Sequence, residues 1–360
     1  MESSQLSKLY AKRPELYEQH RKQYSQKAAL YSLISTKPPI FYVPRSLGRW
    51  DFASLDLIFS YLQDEIAYFL QNWVWDMEDP NEVEKIRKIE IQHISQYPKH
   101  KFIHLCNSLR QQEVFQEYGL KAVFCNQNSL LDEKIFRPIS SISKRFDAVY
   151  DAKFSLYKRH YLAKKIDSIG FIYYYDIIED IDCYQEVKRL FPHAYYFNDA
   201  LSENNTVFIE PHTVNKCLNA CKVGLCLSDV EGGMYASMQY LLSGLPVVST
   251  KSKGGRDVFF DEEYTLIVED DPDAVKEGVD ELIRRNISPE TIRVKVLEQI
   301  KQHRLVLISL IQSIYDQEGI NKDFAMEWDQ LFFNKFRKPQ RPEQAIKQLE
   351  LAKAQFSNKD

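Results

Sequence analysis

Short apolar runs separated by amphipathic stretches organise the chain. The runs IFYV at 40–43, FIHLC at 102–106 and KAVFC at 121–125 have the length of buried strands. Between them, helical periodicity covers 55–62, 82–94 and 111–118, and Gly119 follows the last helix as a left-handed cap residue would. Polar residues Asn126, Gln127, Asn128 and Ser129, then LLDEKIFRP up to Pro138, mark a junction. Beyond it the rhythm restarts with AVYDA, a helical SLYKRHYLAKKI, IGFIYYY, a helix through 187–190, AYYF, VFIEP and VGLCLS. A helix near 234–242, the strands PVVST and TLIV, and long helices from Pro272 complete the pattern. Alternation of this kind predicts βαβ units and parallel sheets, so the fold class is α/β in two units.

The expected divisions are 1–135 with a polar helical arm over 3–28, 136–322, and 323–360. In the last, a helix near 326–336 is expected to cross back to the first unit, ahead of a basic, proline-bearing and mobile end.

At 360 residues, 44% hydrophobic and 27% charged, the chain has the composition of an ordinary globular protein with room for two cores. A net charge of -4 argues against a nucleic-acid partner, because phosphate-backbone binding needs a basic excess. The first residues have no apolar core with a small-residue cleavage site, and no stretch reaches the roughly 18 apolar residues of a membrane span, so a cytoplasmic location is expected. Lys12, Arg13, Arg21 and Lys22 offer a basic arm for an anionic membrane surface, but Glu15 and Glu18 interrupt it and favour a solvated helix. Six cysteines lie mostly within apolar runs, as reduced buried thiols do. Cys217 and Cys221 share a helical spacing without the other ligands a metal needs, so no metal site is expected.

The stretch LCLSDVEGGMYASMQYLLSGLPVVSTKSKGGRDV concentrates the candidate chemistry. A strand end opening onto a helix start places free amides and the positive end of the helix dipole at one spot, which suits a phosphate. Gly232 and Gly233 lack side chains, so the amides of Gly233, Met234 and Tyr235 are candidates to meet a diphosphate or a sugar hydroxyl. Glu231 is a candidate acceptor for sugar hydroxyls, and Gln239, two helical turns on, for another part of the same ligand. The plainer alternative is a glycine-capped turn beside a solvated carboxylate.

The run E-G-G-x-x-x-S-x-Q-x-x-x-x-G-L-P-V-V resembles the donor signature of retaining GT-B glycosyltransferases of the glycosyl transferases group 1 type, in which two glutamates stand eight apart ahead of G-x-P-V-V. Glu231, Gly232, Gly244, Pro246, Val247 and Val248 fit; Gly254, Gly255 and Asp257 follow where that family has a glycine pair and an acidic residue. The resemblance implies two Rossmann-like domains facing across a cleft, the first for the acceptor and the second for a nucleotide-sugar donor. It implies that Glu231 holds the donor sugar and that the second glutamate position, here Gln239, meets the ribose. A glutamine keeps an acceptor oxygen there and loses the charge.

The same family neutralises the donor diphosphate with a basic pair five residues apart after the first strand of the second domain. Lys153 and Lys158 have that spacing, and Arg159 is the neighbouring alternative. The implied reaction is glycosyl transfer with retention, independent of metal and with no cofactor beyond the nucleotide-sugar itself, to a saccharide or glycan acceptor. On the acceptor side His104, Ser46 and Gly48 are the candidates, with Trp50, Trp73 and Trp75 as stacking surfaces and His93 as a further histidine. The glutamine and the short first domain also motivate a non-catalytic relative that binds nucleotide or glycan, or scaffolds a glycosyltransferase complex.

Overall fold

The computed structural model describes residues 31–45, 55–175, 180–201, 209–331 and 340–357. The predicted arm over 3–28, Trp50 and the turn with Ser46 and Gly48 lie outside them.

The first sheet consists of β1 (Ser32–Thr36), β2 (Pro39–Arg45), β3 (Ala67–Trp73), β4 (His100–Cys106) and β5 (Ala122–Phe124), in that spatial order. β1 is antiparallel to β2 and the rest are parallel. β3 is central yet escapes the hydrophobic pattern. All seven of its residues are buried, so AYFLQNW shows no alternation, and Gln71 and Asn72 break the apolar run. Three helices follow β2, β3 and β4 in turn: α1 (Asp56–Tyr61), α2 (Pro80–Gln96) and α3 (Leu109–Glu117). The last two begin where Asp79 and Ser108 accept the amides of Asn81 and Gln111, as N-caps do. Alternation along the strands sorts the sheet's faces. Phe41, Phe69 and Phe102 pack against Ile58 and Phe59 of α1, whereas Ile40, Tyr42, Leu70, Ile103 and Leu105 serve the opposite face.

The second sheet is wholly parallel in the order β11-β10-β9-β6-β7-β8. Its strands are β6 (Phe146–Lys153), β7 (Ile169–Tyr174), β8 (Tyr195–Tyr196), β9 (Cys221–Cys226), β10 (Val247–Thr250) and β11 (Thr265–Val268). Helices α4 (Ile181–Leu190), α5 (Phe197–Leu201), α6 (Pro211–Asn219), α7 (Tyr235–Leu242) and α8 (Pro272–Arg285) connect them. The winding goes outward from β6 to β8, then returns to β9 and proceeds the other way. That reversal opens a crevice beyond the carboxyl ends of β6 and β9, where ligands of such sheets bind. The helix predicted over SLYKRHYLAKKI is replaced by two 3-10 turns, Leu156–Lys158 and His160–Ala163, because Arg159 between them is left-handed (φ 50°). Of the predicted strand VFIEP, 207 and 208 lie outside the described residues, and the rest is not strand: Glu210 caps α6 and Pro211 begins it.

α9 (Pro289–Gln317) joins the two halves. Its Ile292, Val296 and Ile300 are buried with the second sheet, and Leu307, Ile311 and Ile314 with the open face of the first. The crossing therefore comes earlier than the expected 326–336, although Phe324, Trp328 and Leu331 add to the same core. The basic end, expected to be mobile, forms α10 (Pro342–Ser357) instead. Ala345 and Leu349, one helical turn apart, are buried beside α1, which composition alone does not reveal.

Candidate active site

The reversal of strand order brings the segment after β6 to the segment after β9. Lys158 and Glu231 meet there in an ion pair, and they are only 7% and 6% exposed. Lys153, the last residue of β6, pairs with Asp180 at 2.7 Å. Arg159 spans the crevice floor: its Nε donates to the Leu227 carbonyl at 2.6 Å, one Nη to Thr250 Oγ1 at 2.7 Å and the other to Asp270 Oδ2 at 2.6 Å. All three cations thus have carboxylate partners.

Arg256 is a residue the motif reading passed over. Its buried guanidinium donates to the carbonyls of Ser228 (2.6 Å) and Thr250, to Ser249 Oγ (2.8 Å) and to Asp257 Oδ1 (2.7 Å). It clamps the ends of β9 and β10, so the loop bearing Glu231 starts from a fixed point. Asp180 and Tyr157 also went unmarked, since no spacing relates them to the donor motif. Burial, reinforced by Glu231, Tyr174 and Asp180, holds the Tyr157 phenol well above its ordinary pKa and therefore protonated. His160, among the rings of Tyr150 and Phe154, has no protein partner on either nitrogen; burial and then Lys158 push its pKa down to about 3.

The loop before α7 is shaped by neighbours. Met234 caps the helix in a left-handed conformation (φ 49°), and no side chain caps the first turn. A Cβ on Gly232 would come within 2.6 Å of the Val74 backbone, and one on Gly233 would meet the Gln127 side chain. The two glycines thus admit the first half of the molecule, a demand separate from leaving room for a ligand. Tyr235 is half-buried, and the Oε1 of Gln239 is buried with no partner in the protein.

The junction after β5 is buried although every residue in 126–129 is polar. Asn126 Nδ2 donates to the carbonyls of Asn107 at 2.7 Å and Gly255 at 2.6 Å, and Asn128 Nδ2 donates to the Gly233 carbonyl. Arg304 of α9 holds the same segment through the carbonyls of Ser129 (2.8 Å) and Leu131 (2.7 Å). These bonds tie the glycine loops at 232–233 and 254–255 to the first half, as buried amides that need partners will.

His104 belongs to the first core. Trp73 Nε1 donates to its Nδ1 at 3.2 Å, so the ring proton sits on Nε2, 3.0 Å from Glu90 Oε2, and both nitrogens are engaged. Trp73 is itself 1% exposed and packs on His104 and Phe115, which removes it as a stacking surface. His93 Nε2 lies 2.9 Å from His100 Nδ1 inside the same half. Trp75 differs: it is half-buried and meets Tyr157 edge-on at 5.2 Å, linking the two halves beside Lys158. All six cysteines are buried thiols, with Cys221 Sγ 3.3 Å from the Cys217 carbonyl. Among the described residues no three His, Cys, Asp or Glu side chains gather as a metal site, and no helix is long and apolar enough to cross a membrane.

Two α/β sheets joined by a long crossing helix, with a cationic crevice at the reversal of the second, define the GT-B class. Solved structures of this shape include a sucrose-phosphate synthase from Thermosynechococcus elongatus, at TM-score 0.52 and 12% identity over 77% of this chain and 74% of that one. Anabaena Alr3699/HepE in complex with UDP matches at TM-score 0.52 and 13% identity, over 76% of this chain and 78% of its own. The E. coli structure described as trehalose-6-phosphate bound with UDP-2-fluoro glucose gives TM-score 0.52 and 11% identity, over 73% and 70%. No curated protein matches the sequence. Residues 201–298 match the family model of glycosyl transferases group 1.

Proposed function

We propose that the protein moves a sugar from a nucleotide-sugar donor to a saccharide or glycan acceptor, with retention at the anomeric carbon. The observation that carries this reading is the buried Lys158–Glu231 pair, flanked by Lys153 and Arg159, at the strand-order reversal of the family-matched half. A donor diphosphate entering there takes over the lysines from their carboxylates. Lys153 and Lys158 then stabilise the charge that grows on the leaving nucleoside diphosphate, and Glu231, released from Lys158, accepts hydroxyl groups of the donor sugar. Backbone amides at Gly233, Met234 and Tyr235 complete the donor side, and the open Oε1 of Gln239 takes a ribose hydroxyl.

Transfer proceeds by attack on the face the nucleotide leaves. The bond from the anomeric carbon to the phosphate oxygen breaks as the bond to the acceptor oxygen forms, and the acceptor proton passes to the departing phosphate. In this reading the cationic side chains supply the positive charge, so neither a metal nor a cofactor is needed. UDP is the first nucleotide to try, because it accompanies Alr3699/HepE.

Thermal shift against UDP, GDP and ADP, followed by donor turnover with and without acceptors, tests the proposal. A nucleotide that raises the melting temperature, with turnover abolished in Glu231→Ala, supports it. The replacement of the second motif glutamate by Gln239 favours one alternative, a non-catalytic binder: nucleotide binding without turnover of any donor across a broad acceptor panel would select it.

A further inference from the structure

Among the described residues, the segment after β3 is one of the first-half loops that reach the crevice. Three consecutive residues of that loop contact the donor side. The Val74 backbone packs on Gly232; the Trp75 ring meets Tyr157, itself 5.0 Å from Lys158 Nζ; and the Asp76 side chain lies against Gly254, whose added Cβ would stand 3.4 Å from the Asp76 Cβ. Trp75, Asp76 and Tyr157 are all half-buried, so each keeps surface for a ligand.

We propose that Trp75, Tyr157 and Asp76 form the acceptor subsite, with the two rings as an apolar platform for a sugar face and the Asp76 carboxylate as acceptor for its hydroxyl groups. The inference rests on donor binding at Lys158 and Glu231. Geometry supports it in three ways. First, a group attacking the anomeric carbon must stand beside Glu231, and this loop packs on the Glu231 loop at Gly232 with an aromatic ring and a carboxylate that keep exposed surface. Second, aromatic rings with one or two fixed polar groups are how concave sites bind amphipathic small molecules. Third, Asp76 is held in place: its Oδ1 accepts the Glu78 amide at 3.1 Å, and its side chain lies against Gly254 of the loop that follows β10. Burial and then the neighbouring Glu78 raise the Asp76 pKa above the ordinary carboxylate value, in keeping with a carboxylate drawn partly out of water. A saccharide is the class that suits the set, since it presents both a C–H face and hydroxyl donors.

Saturation-transfer NMR with maltose, cellobiose and chitobiose, run in parallel with UDP thermal shift, tests the subsite on the full chain. For wild type, a saturation signal is expected from at least one disaccharide in the presence of UDP. Trp75→Ala should abolish it, and Asp76→Asn should weaken the affinity roughly tenfold, the effect of losing one charge-assisted hydrogen bond. Both variants should keep the UDP shift, which shows that they fold. Absence of any saccharide signal in wild type that binds UDP, or signals unchanged in both variants, overturns the subsite and leaves the donor proposal standing. Failure of UDP, GDP and ADP alike to shift wild type overturns the donor reading and the subsite with it.

Discussion

Lys158 and Glu231 lie 73 residues apart in the chain and form an ion pair almost sealed from water at the junction of β6 and β9. Such a pair is costly to half-remove. Lys158→Met or Glu231→Gln alone leaves one partner without its counter-charge in a nearly dry site, and each is expected to cost about 3–5 kcal/mol for Lys158→Met and less for the neutral amide. The double variant should be more stable than the sum of the single losses predicts. Chemical denaturation of the four proteins reads this coupling, and additive losses would show that the pair is not formed in solution.

Gly254 holds φ +88°, and a Cβ there would collide with the Glu231 carbonyl. Gly254→Ala should cost more than about 1 kcal/mol and push Glu231 out of place, with loss of transfer. Gly119→Ala is the control, because Gly119 has φ +73° but nothing within 4 Å of an added Cβ. It should pay only the backbone strain, about 1 kcal/mol, and leave activity alone. Equal effects of the two on activity would count against the proposed role of the Glu231 loop.

The Gln239 Oε1 has no hydrogen-bond partner in the protein, so its removal breaks no hydrogen bond of that atom. Gln239→Leu is therefore expected to keep the stability of the free protein within about 0.5 kcal/mol and to weaken UDP binding roughly tenfold. Calorimetric titration decides. An unchanged Kd would remove Gln239 from the donor site.

Four histidines are held neutral by burial. The pKa of His93 and of His303 is lowered to about 4 and that of His160 to about 3, and His100 is lowered as well. Each is protonated in the unfolded chain below its ordinary value of 6.5 but stays neutral in the folded one. The unfolded state then binds more protons, so stability falls as the pH drops from about 6.5 toward 4, by about 1.4 kcal/mol per pH unit for each histidine still neutral. Melting temperatures between pH 7 and pH 4.5 should decline, and His160→Phe should flatten the decline. A flat profile in wild type would contradict the buried neutral rings.

Much of the second half was legible from the sequence. β6, β9, β10 and β11 are short apolar runs, and residues 231–248 match the donor signature in order and spacing, because backbone approach and helix starts impose local demands that glycines and a strand end answer locally. Lys153 and Lys158 were marked because their spacing and position resemble the basic pair of the family. What spacing did not provide was their partners. Asp180 and Asp270 meet Lys153 and Arg159 only because the sheet brings distant loops together.

The first half was less legible, and for a physical reason. β3 is buried on both faces, so no alternation marks it, yet it presents the loop with Trp75 and Asp76. Asn126 and Asn128 read as an exposed polar junction until their amides are seen bonded across it. His104 read as a candidate until Trp73 and Glu90 took both its nitrogens. The sequence by itself determined the α/β class and the glycine-bearing motif over 231–248, since helix and strand periods and glycine-dependent turns are properties of neighbouring residues. Only the tertiary structure decided which charges pair, which polar groups are buried and which loop of the first half faces Glu231, because those depend on contacts between residues far apart in the chain.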